Sequence, residues 1–466
     1  MKFTLLIYPA TLALAACMVG PDFRSPASVD SSGWKEGAAN PNASLPDQWW
    51  RLFNDAQLNR LVERSLAANN DLAAAKSRVE TARALIGLDR AKLFPSLDLN
   101  SSAGISRSAT DSAGQNLPPG VVVDLERQQY RSTFNLAFDP DLWGRNKRLI
   151  EAASADAAAS EAMLDSQRLG IATEVARQYF TLRGLDDQTV ILRETLAGRN
   201  DALEIQKSKA DAGLIDGLSS SRARTEVELA NNDLAAIERQ RGSAEHALAV
   251  LCGVSPSGFS VTARSSKEAL PTMRAGLPAQ VLHRRPDVRA AEQELRAANA
   301  RIGVAEAAFY PSFSLTSGAG FESLDVKRFL DWENRVLSLG AGIAAPLIDG
   351  GANKANFQAA QSRHQEALAK YRQSLLVALR EVEDALVDLK GLAQSRNALN
   401  RALTSSRDTK DLSQDRFDKG LTGYLDVVDA DRTVLQTRLA LSQIEAQQRI
   451  TLAAFAKALG GGWSGK

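Results

Sequence analysis

FDKGLTGYL, residues 417–425, closes one long proline-free stretch and opens another, and 207 residues earlier ADAGLIDGL, residues 210–218, does the same. Laying Gly213 on Gly420 puts Gly144 on Gly351, Asn146-Lys147 on Asn353-Lys354, Glu174-Val175 on Glu381-Val382 and Gly253 on Gly460, all without a gap. Nearer the N-terminus the offset becomes 216: Asp71 meets Asp287, Ile86-Gly87 meets Ile302-Gly303, and Pro95-Ser96 meets Pro311-Ser312. The first copy therefore carries nine extra residues, which fall in the Ser/Gly/Pro-rich stretch 106–125 and read as a longer loop. The chain is an internal duplication, and the duplicated unit decides the fold.

Outward from each Asp-x-Gly-Leu tip (Asp211–Leu214 and Asp418–Leu421), residues 143–211 and 351–418 contain no proline and are predicted to be helical. At a rise of 1.5 Å per residue such a helix reaches about 100 Å. A shorter helix returns over 218–252 and 425–459. Hairpins of this kind bury little alone and pack on neighbours as coiled coils. Before each long helix comes an alanine-rich helical stretch, 72–93 or 288–309, stopped by Pro95 or Pro311. Pro286 opens the second with Asp287 beside it, which suits a helix start. Arg284, Arg285 and Asp287 are read as capping and packing rather than as a functional cluster. After each proline the apolar period changes to two. Leu97, Leu99 and Ile105, then Phe134, Leu136 and Phe138, share faces, as do Phe313, Leu315 and Phe321, and Leu337, Leu339, Ala341 and Ile343. Four strands of about ten residues suit tilted strands crossing a bilayer, although the alternation alone allows a soluble antiparallel sheet equally well.

At the N-terminus Lys2, an apolar stretch over 3–13 and small residues before Cys17 form a three-part export signal, too short to span a bilayer. Leu14-Ala15-Ala16-Cys17 also resembles the bacterial lipobox, in which the cysteine becomes the first mature residue and takes a diacylglycerol and an N-acyl chain. Cys17 is expected to be that anchor; the alternative is plain export with Cys17 inside the mature chain. Beyond the signal no run approaches 18 apolar residues, so no transmembrane helix is expected. Strands entering lipid must then close into a barrel, since open edges there leave backbone groups unpaired. Four cannot close alone, so several chains must pool theirs. Three chains supply twelve strands; geometry allows other multiples.

The chain has 466 residues and a net charge of +1, with 44% hydrophobic residues. Near-neutrality argues against a nucleic-acid partner, which needs a concentrated basic face. Cys252, the second of two cysteines, ends an apolar helical pattern and reads as a buried small hydrophobe. His246, His283 and His364 lie far apart, without metal-ligand spacing. No phosphate loop, nucleophile elbow or His-Glu-x-x-His is found. The expectation is therefore not an enzyme, with no catalytic residues and no cofactor beyond the covalent lipid on Cys17.

Four stretches carry a family resemblance: Cys17-Met18-Val19-Gly20-Pro21-Asp22-Phe23, Arg284-Arg285-Pro286-Asp287-Val288-Arg289-Ala290-Ala291-Glu292, Phe309-Tyr310-Pro311-Ser312-Phe313-Ser314-Leu315, and Ala458-Leu459-Gly460-Gly461-Gly462-Trp463. With Ala300-Arg301-Ile302-Gly303-Val304-Ala305 and the repeat, they resemble the TolC family of outer-membrane efflux channels, in its NodT-like lipoprotein branch paired with resistance-nodulation-division pumps. That resemblance implies a mixed α and β fold. A homotrimer would form a twelve-strand outer-membrane β-barrel, four strands per chain, continuing into a periplasmic α-helical barrel. It implies passive export of drugs, toxic compounds or metal ions, driven by an inner-membrane pump through a periplasmic adaptor. Residues 1–16 would be the signal peptide, 17–55 the lipid-anchored segment, 56–255 and 278–460 the two repeats, 256–277 a linker and 461–466 a tail. Met18, where inner-membrane retention would favour Asp, points to the outer membrane. In the returning helix of the second copy, Asp426 and Asp429 lie three apart on one face; the aligned first-copy residues are Ser219 and Arg222. Helix capping explains such acids too. The resemblance implies instead that Asp426 and Asp429 form the periplasmic gate, where six carboxylates from three chains would attract cations. It also implies a closed state held by polar links nearby.

Two rivals remain. A duct for one-component protein secretion keeps the fold and changes the partner. A lipid-anchored coiled-coil scaffold without a pore explains Cys17 and the long helices but not the four alternating strands.

Overall fold

The computed structural model describes residues 18–26, 33–37, 40, 45–107, 109, 126–265 and 269–461. The signal peptide, Cys17, most of the loop 106–125 and Trp463 lie outside them. In chain order the elements are α1 (Ala56–Ala68), α2 (Asn70–Ala91), β1 (Ser96–Arg107), β2 (Glu126–Phe138), α3 (Arg145–Asp211), α4 (Gly217–Leu251), α5 (Pro278–Arg284), α6 (Pro286–Ala307), β3 (Ser312–Ser323), β4 (Arg335–Ala344), α7 (Ala352–Asp418) and α8 (Tyr424–Ala458). The duplication is visible in the lengths: α3 and α7 each have 67 residues, α4 and α8 each 35. The chain divides into two compact units, one drawn from Met1–Ser25, Val79–Ala159 and Glu292–Lys370, the other from Pro26–Arg78, Ser160–Ala291 and Tyr371–Lys466. No helix among the described residues is long and apolar enough to cross a membrane.

The first unit holds a four-stranded antiparallel sheet in the order β1-β2-β3-β4. Its register sorts the side chains. Leu97 faces Leu136, Leu99 faces Phe134, Phe134 faces Ala319, and Ala319 faces Leu337. Phe138, Leu315 and Ala341 make a second row and Phe313 with Ile343 a third. Side chains of paired residues share a face, so one side of the sheet is apolar. The intervening rows, such as Asn135, Gly318 and Ser338, or Arg131 and Glu322, put polar and small residues on the other. The apolar side stands open: Leu337 is 83% exposed and Leu339 88%. A water-soluble sheet with apolar edge strands this exposed invites aggregation.

In the same unit the segment after Cys17 is held against the sheet's exit into α3. The Val19 amide donates to the Trp143 carbonyl at 3.1 Å. The buried Arg148 guanidinium donates to the carbonyls of Val19 at 3.1 Å and Gly20 at 2.9 Å and pairs with Asp22 at 3.0 Å. Asn299 Nδ2 donates to the Pro21 carbonyl at 2.8 Å. The long helix starts at Arg145 rather than 143, because the Asp141 carboxylate accepts from the amides of Asn146 and Lys147 and sets the first turn there.

The second unit repeats its own joints. Asn69, which caps α2 by accepting from the amides of Asp71 and Leu72, also donates from Nδ2 to the Leu251 carbonyl at 3.0 Å. At the matching place in the second copy, Arg285 Nη1 donates to the Ala458 carbonyl at 3.2 Å. Arg285 also pairs with Asp287 and Glu381, each at 2.7 Å, so it packs and caps as its sequence suggests. Just beyond each return helix a glycine in the left-handed region approaches the equivalent spot. A Cβ on Gly253 would lie 2.2 Å from the Ala68 carbonyl oxygen, and one on Gly460 3.2 Å from the Arg284 carbonyl carbon. Cys252 is buried, and its thiol lies 3.7 Å from the Leu61 carbonyl oxygen. The core around Trp34 gathers Val382 and Phe455. The short helices α1 and α5 were not distinguished in the sequence; α1 begins where Asp55 accepts from the amides of Gln57 and Leu58.

Candidate functional site

Both hairpin tips close in the same way. Gly213 and Gly420 take φ of +71° and +73°. That left-handed conformation costs glycine nothing, and it lets the Leu214 amide reach back to the Lys209 carbonyl at 2.9 Å and the Leu421 amide to the Arg416 carbonyl at 2.8 Å. These are Schellman closures that satisfy the last carbonyls of α3 and α7.

The return helices start differently. In the first copy Asp216 is the N-cap and accepts from the Leu218 amide at 3.2 Å. The aligned residue in the second copy is Gly423, which has no side chain to cap with. Asp426 compensates in part. It is the acid of the first turn of α8, where the helix dipole favours negative charge, and its carboxylate accepts from the Thr422 hydroxyl. Asp429 lies one turn deeper and does not cap. Its carboxylate is 61% exposed and sits 3.6 Å from the Arg432 guanidinium. Asp426 and Asp429 share an open groove of about 480 Å³ between α7 and α8, whose walls include the hydroxyls of Ser406, Thr409, Ser413 and Thr433. Arg416 lines the same groove, so the two carboxylates stand there among hydroxyls and one guanidinium.

A second cluster lies behind them, and the sequence reading missed it. Arg199 of α3 is buried and donates from Nη1 to the Glu226 carbonyl at 3.0 Å. It also pairs with the Glu226 carboxylate at 3.2 Å and with Asp431 of α8 at 3.1 Å. Lys410 of α7 takes the other Asp431 oxygen at 2.6 Å. Arg432 Nε donates to Glu226 at 3.0 Å and so joins the cluster to Asp429. With Asp429 included, three positive and three negative groups tie all four long helices together, and the charges balance. Burial is the first cause that pushes the Tyr424 phenol above its usual range, followed by the carboxylates of Asp431 and Glu226. The hydrogen bond that Arg432 donates to the Glu226 carboxylate holds its guanidinium more firmly protonated than usual.

The family described as "Outer membrane efflux protein" matches residues 61–254 and 277–461, one stretch in each half. The toluene efflux pump outer membrane protein TtgI of Pseudomonas putida is 32% identical over 472 residues, covering 100% of this chain and 99% of its own. The cation efflux system protein CusC of Escherichia coli O6:H1 is 30% identical over 466 residues, covering 98% of each. Among solved structures, the outer-membrane channel OprN aligns with a TM-score of 0.87 at 30% identity, over 96% of this chain and 100% of that one.

Proposed function

This chain belongs to the outer membrane efflux protein family, and from that membership we propose that it is the trimeric exit duct of a three-part efflux pump. It is an outer-membrane efflux channel component, and the sheet is the observation that carries the trimeric reading. One face is apolar and open, the other polar, and the edge strands β1 and β4 have no strand beyond them among the described residues. Pairing β1 of one chain with β4 of the next, three times, closes twelve strands with the apolar face to lipid and the polar face to a water-filled lumen. A pore-free scaffold has no use for such a sheet. The long helices then form the periplasmic conduit. A periplasmic adaptor meets their tips, and a resistance-nodulation-division pump in the inner membrane supplies the energy. Relatives named for toluene and for cations bracket the substrates, and a lumen without an enclosed pocket suits drugs, solvents or metal ions alike. Cys17 carries the lipid anchor. Native mass spectrometry in detergent is expected to give three chains per particle; a stable monomer or tetramer contradicts the closure.

Asp426 and Asp429, in this reading, form the cation-attracting ring of the closed entrance, and the Arg199–Glu226–Asp431–Lys410 cluster is the link that keeps the hairpins together. Because Asp426 also serves the helix start, asparagine is the proper replacement: it keeps a short polar side chain in the first turn and removes the charge. The variant Asp426→Asn with Asp429→Asn is expected to remain trimeric and to lose sensitivity to divalent ions. In planar bilayers, millimolar divalent cation should reduce the single-channel current of the parent several-fold and leave the double variant unaffected. Equal block of both would place the ring elsewhere.

A further inference from the structure

In the first unit β3 leads away from α6 and β4 leads back to α7, so residues 324–334, which join the strands, lie at the sheet's end opposite the helices. Along these two strands the apolar side is a ladder of pairs. Phe313 faces Ile343 at the helix end, Ala319 faces Leu337 further out, and Phe321 faces Arg335 on the last rung. The eight residues of β3 from Phe313 to Phe321 span about 27 Å of strand, or about 20 Å of depth at a tilt of about 40°, close to the height of a barrel's apolar band. Arg335 therefore stands where that band meets the headgroups.

Aromatic rings gather at the same rung. Phe329 packs edge-on against Phe321 with ring centroids 6.4 Å apart, and the Arg335 guanidinium lies 4.6 Å from the centre of the Trp332 ring, which is 69% exposed. Exposed rings at the edge of an apolar band suit the boundary between hydrocarbon and headgroups. The charge on that rung is unanswered. Arg335 Nη1 donates to the Trp332 carbonyl at 2.6 Å, and among the described residues no carboxylate pairs with the guanidinium. The loop as a whole is neutral, so the attraction is local. Asp325 caps the turn after β3 by accepting from the Lys327 amide at 2.9 Å, Asp331 pairs with Arg328 at 3.2 Å, and Glu333 forms no ion pair with Arg335. Glu322 belongs to the opposite face, where it meets Arg131 at 3.8 Å. A cation at the edge of hydrocarbon needs an anion or water to meet it.

We propose that this rim binds a phosphate-bearing lipid of the outer leaflet. The phosphate takes the Nε–Nη2 edge of Arg335, a planar fork that fits phosphate with two parallel hydrogen bonds. The Trp332 ring backs the guanidinium, and the acyl chains run down the ladder over Leu337 and Leu339. The proposal rests on the reading above that the sheet spans the outer membrane with its helices on the periplasmic side.

The probe is diphosphoryl lipid A, titrated into the full chain in non-ionic detergent and counted by native mass spectrometry beside the same lipid stripped of its phosphates. The parent is expected to retain lipid A saturably and to prefer it about tenfold, the effect of one charge-assisted contact. Arg335→Gln should lose the preference. Arg335→Lys should weaken it only a few-fold, since an ammonium still attracts phosphate. Arg131→Gln, on the opposite face, should leave it unchanged. If Arg335→Gln does not assemble, the two lipids on the parent and the lysine variant still decide. Equal retention of both lipids by the parent, or an undiminished preference in Arg335→Gln, would overturn the proposal and leave Arg335 to water. Full displacement by millimolar inorganic phosphate would overturn it too, making the rim a site for free anions. The same spectra count the chains: a trimer without lipid preference sinks this site alone, whereas a particle of another size removes the closed barrel beneath it.

Discussion

Glu226→Ala is expected to loosen the hairpin tips by about 3 kcal/mol, read as roughly 100-fold faster amide exchange in α3 near Arg199 and in α4 near residue 226. The reason is burial. The Arg199 and Glu226 side chains are 9% and 6% exposed, so removing the carboxylate strands a guanidinium away from water. Asp431 alone then shares its two oxygens between Arg199 and Lys410. Arg432 contributes less, because at 45% exposure water replaces its lost partner. A companion variant separates charge from packing: Glu226→Met with Arg199→Met removes both members of the pair and fills similar volume. Such replacements are often neutral, so exchange should return most of the way toward the parent. If the double variant exchanges as fast as the single one, shape rather than ion pairing holds the tips. In the channel, the single variant should also raise the fraction of time spent in the higher-conductance state, whereas a loosened tip that leaves conductance unchanged would separate this cluster from the gate.

How much of this was legible in the sequence follows from how local each signal is. The tips were readable because Asp-x-Gly-Leu occurs twice, and only a residue free to take positive φ closes a helix that way. The strands were readable because Pro95 and Pro311 stop helices and the apolar period then falls to two. Register was not readable. Leu97 opposite Leu136 depends on the loop between β1 and β2, whose added residues change no hydrophobic pattern. The capping share of Asp426 emerges only when Asp216 is laid on Gly423 and the first copy's cap is seen to be missing from the second. The charged cluster left no trace at all. Its members at 199, 226, 410, 431 and 432 are each an ordinary polar residue on a helix, brought together by packing across more than two hundred residues. Arg148 is the same case, since its partners Val19, Gly20 and Asp22 lie more than 120 positions away.

Cys17→Ala is expected to abolish incorporation of labelled palmitate. Cys252, the other cysteine, is buried with its thiol 3.7 Å from the Leu61 carbonyl oxygen, and burial raises its pKa, so it offers no reactive thiolate to acylate. The segment that follows position 17 is held by the protein itself. Three hydrogen bonds from Arg148 and Asn299 and one from the Val19 amide seat Val19–Pro21 whether or not a lipid precedes them. Folding and trimer formation should therefore survive the substitution, while delivery to the outer membrane falls, because the acyl chains supply membrane affinity at about 0.8 kcal/mol per buried methylene. The reciprocal variant, Arg148→Ala, should show the opposite division: full palmitate labelling, but rapid proteolysis of residues 18–26, which lose their buried guanidinium and the Asp22 pair. Palmitate incorporation that is unchanged in Cys17→Ala would remove the anchor from this position. Protection of residues 18–26 that is unchanged in Arg148→Ala would show that the segment is held by its acyl chains rather than by the socket at the start of α3.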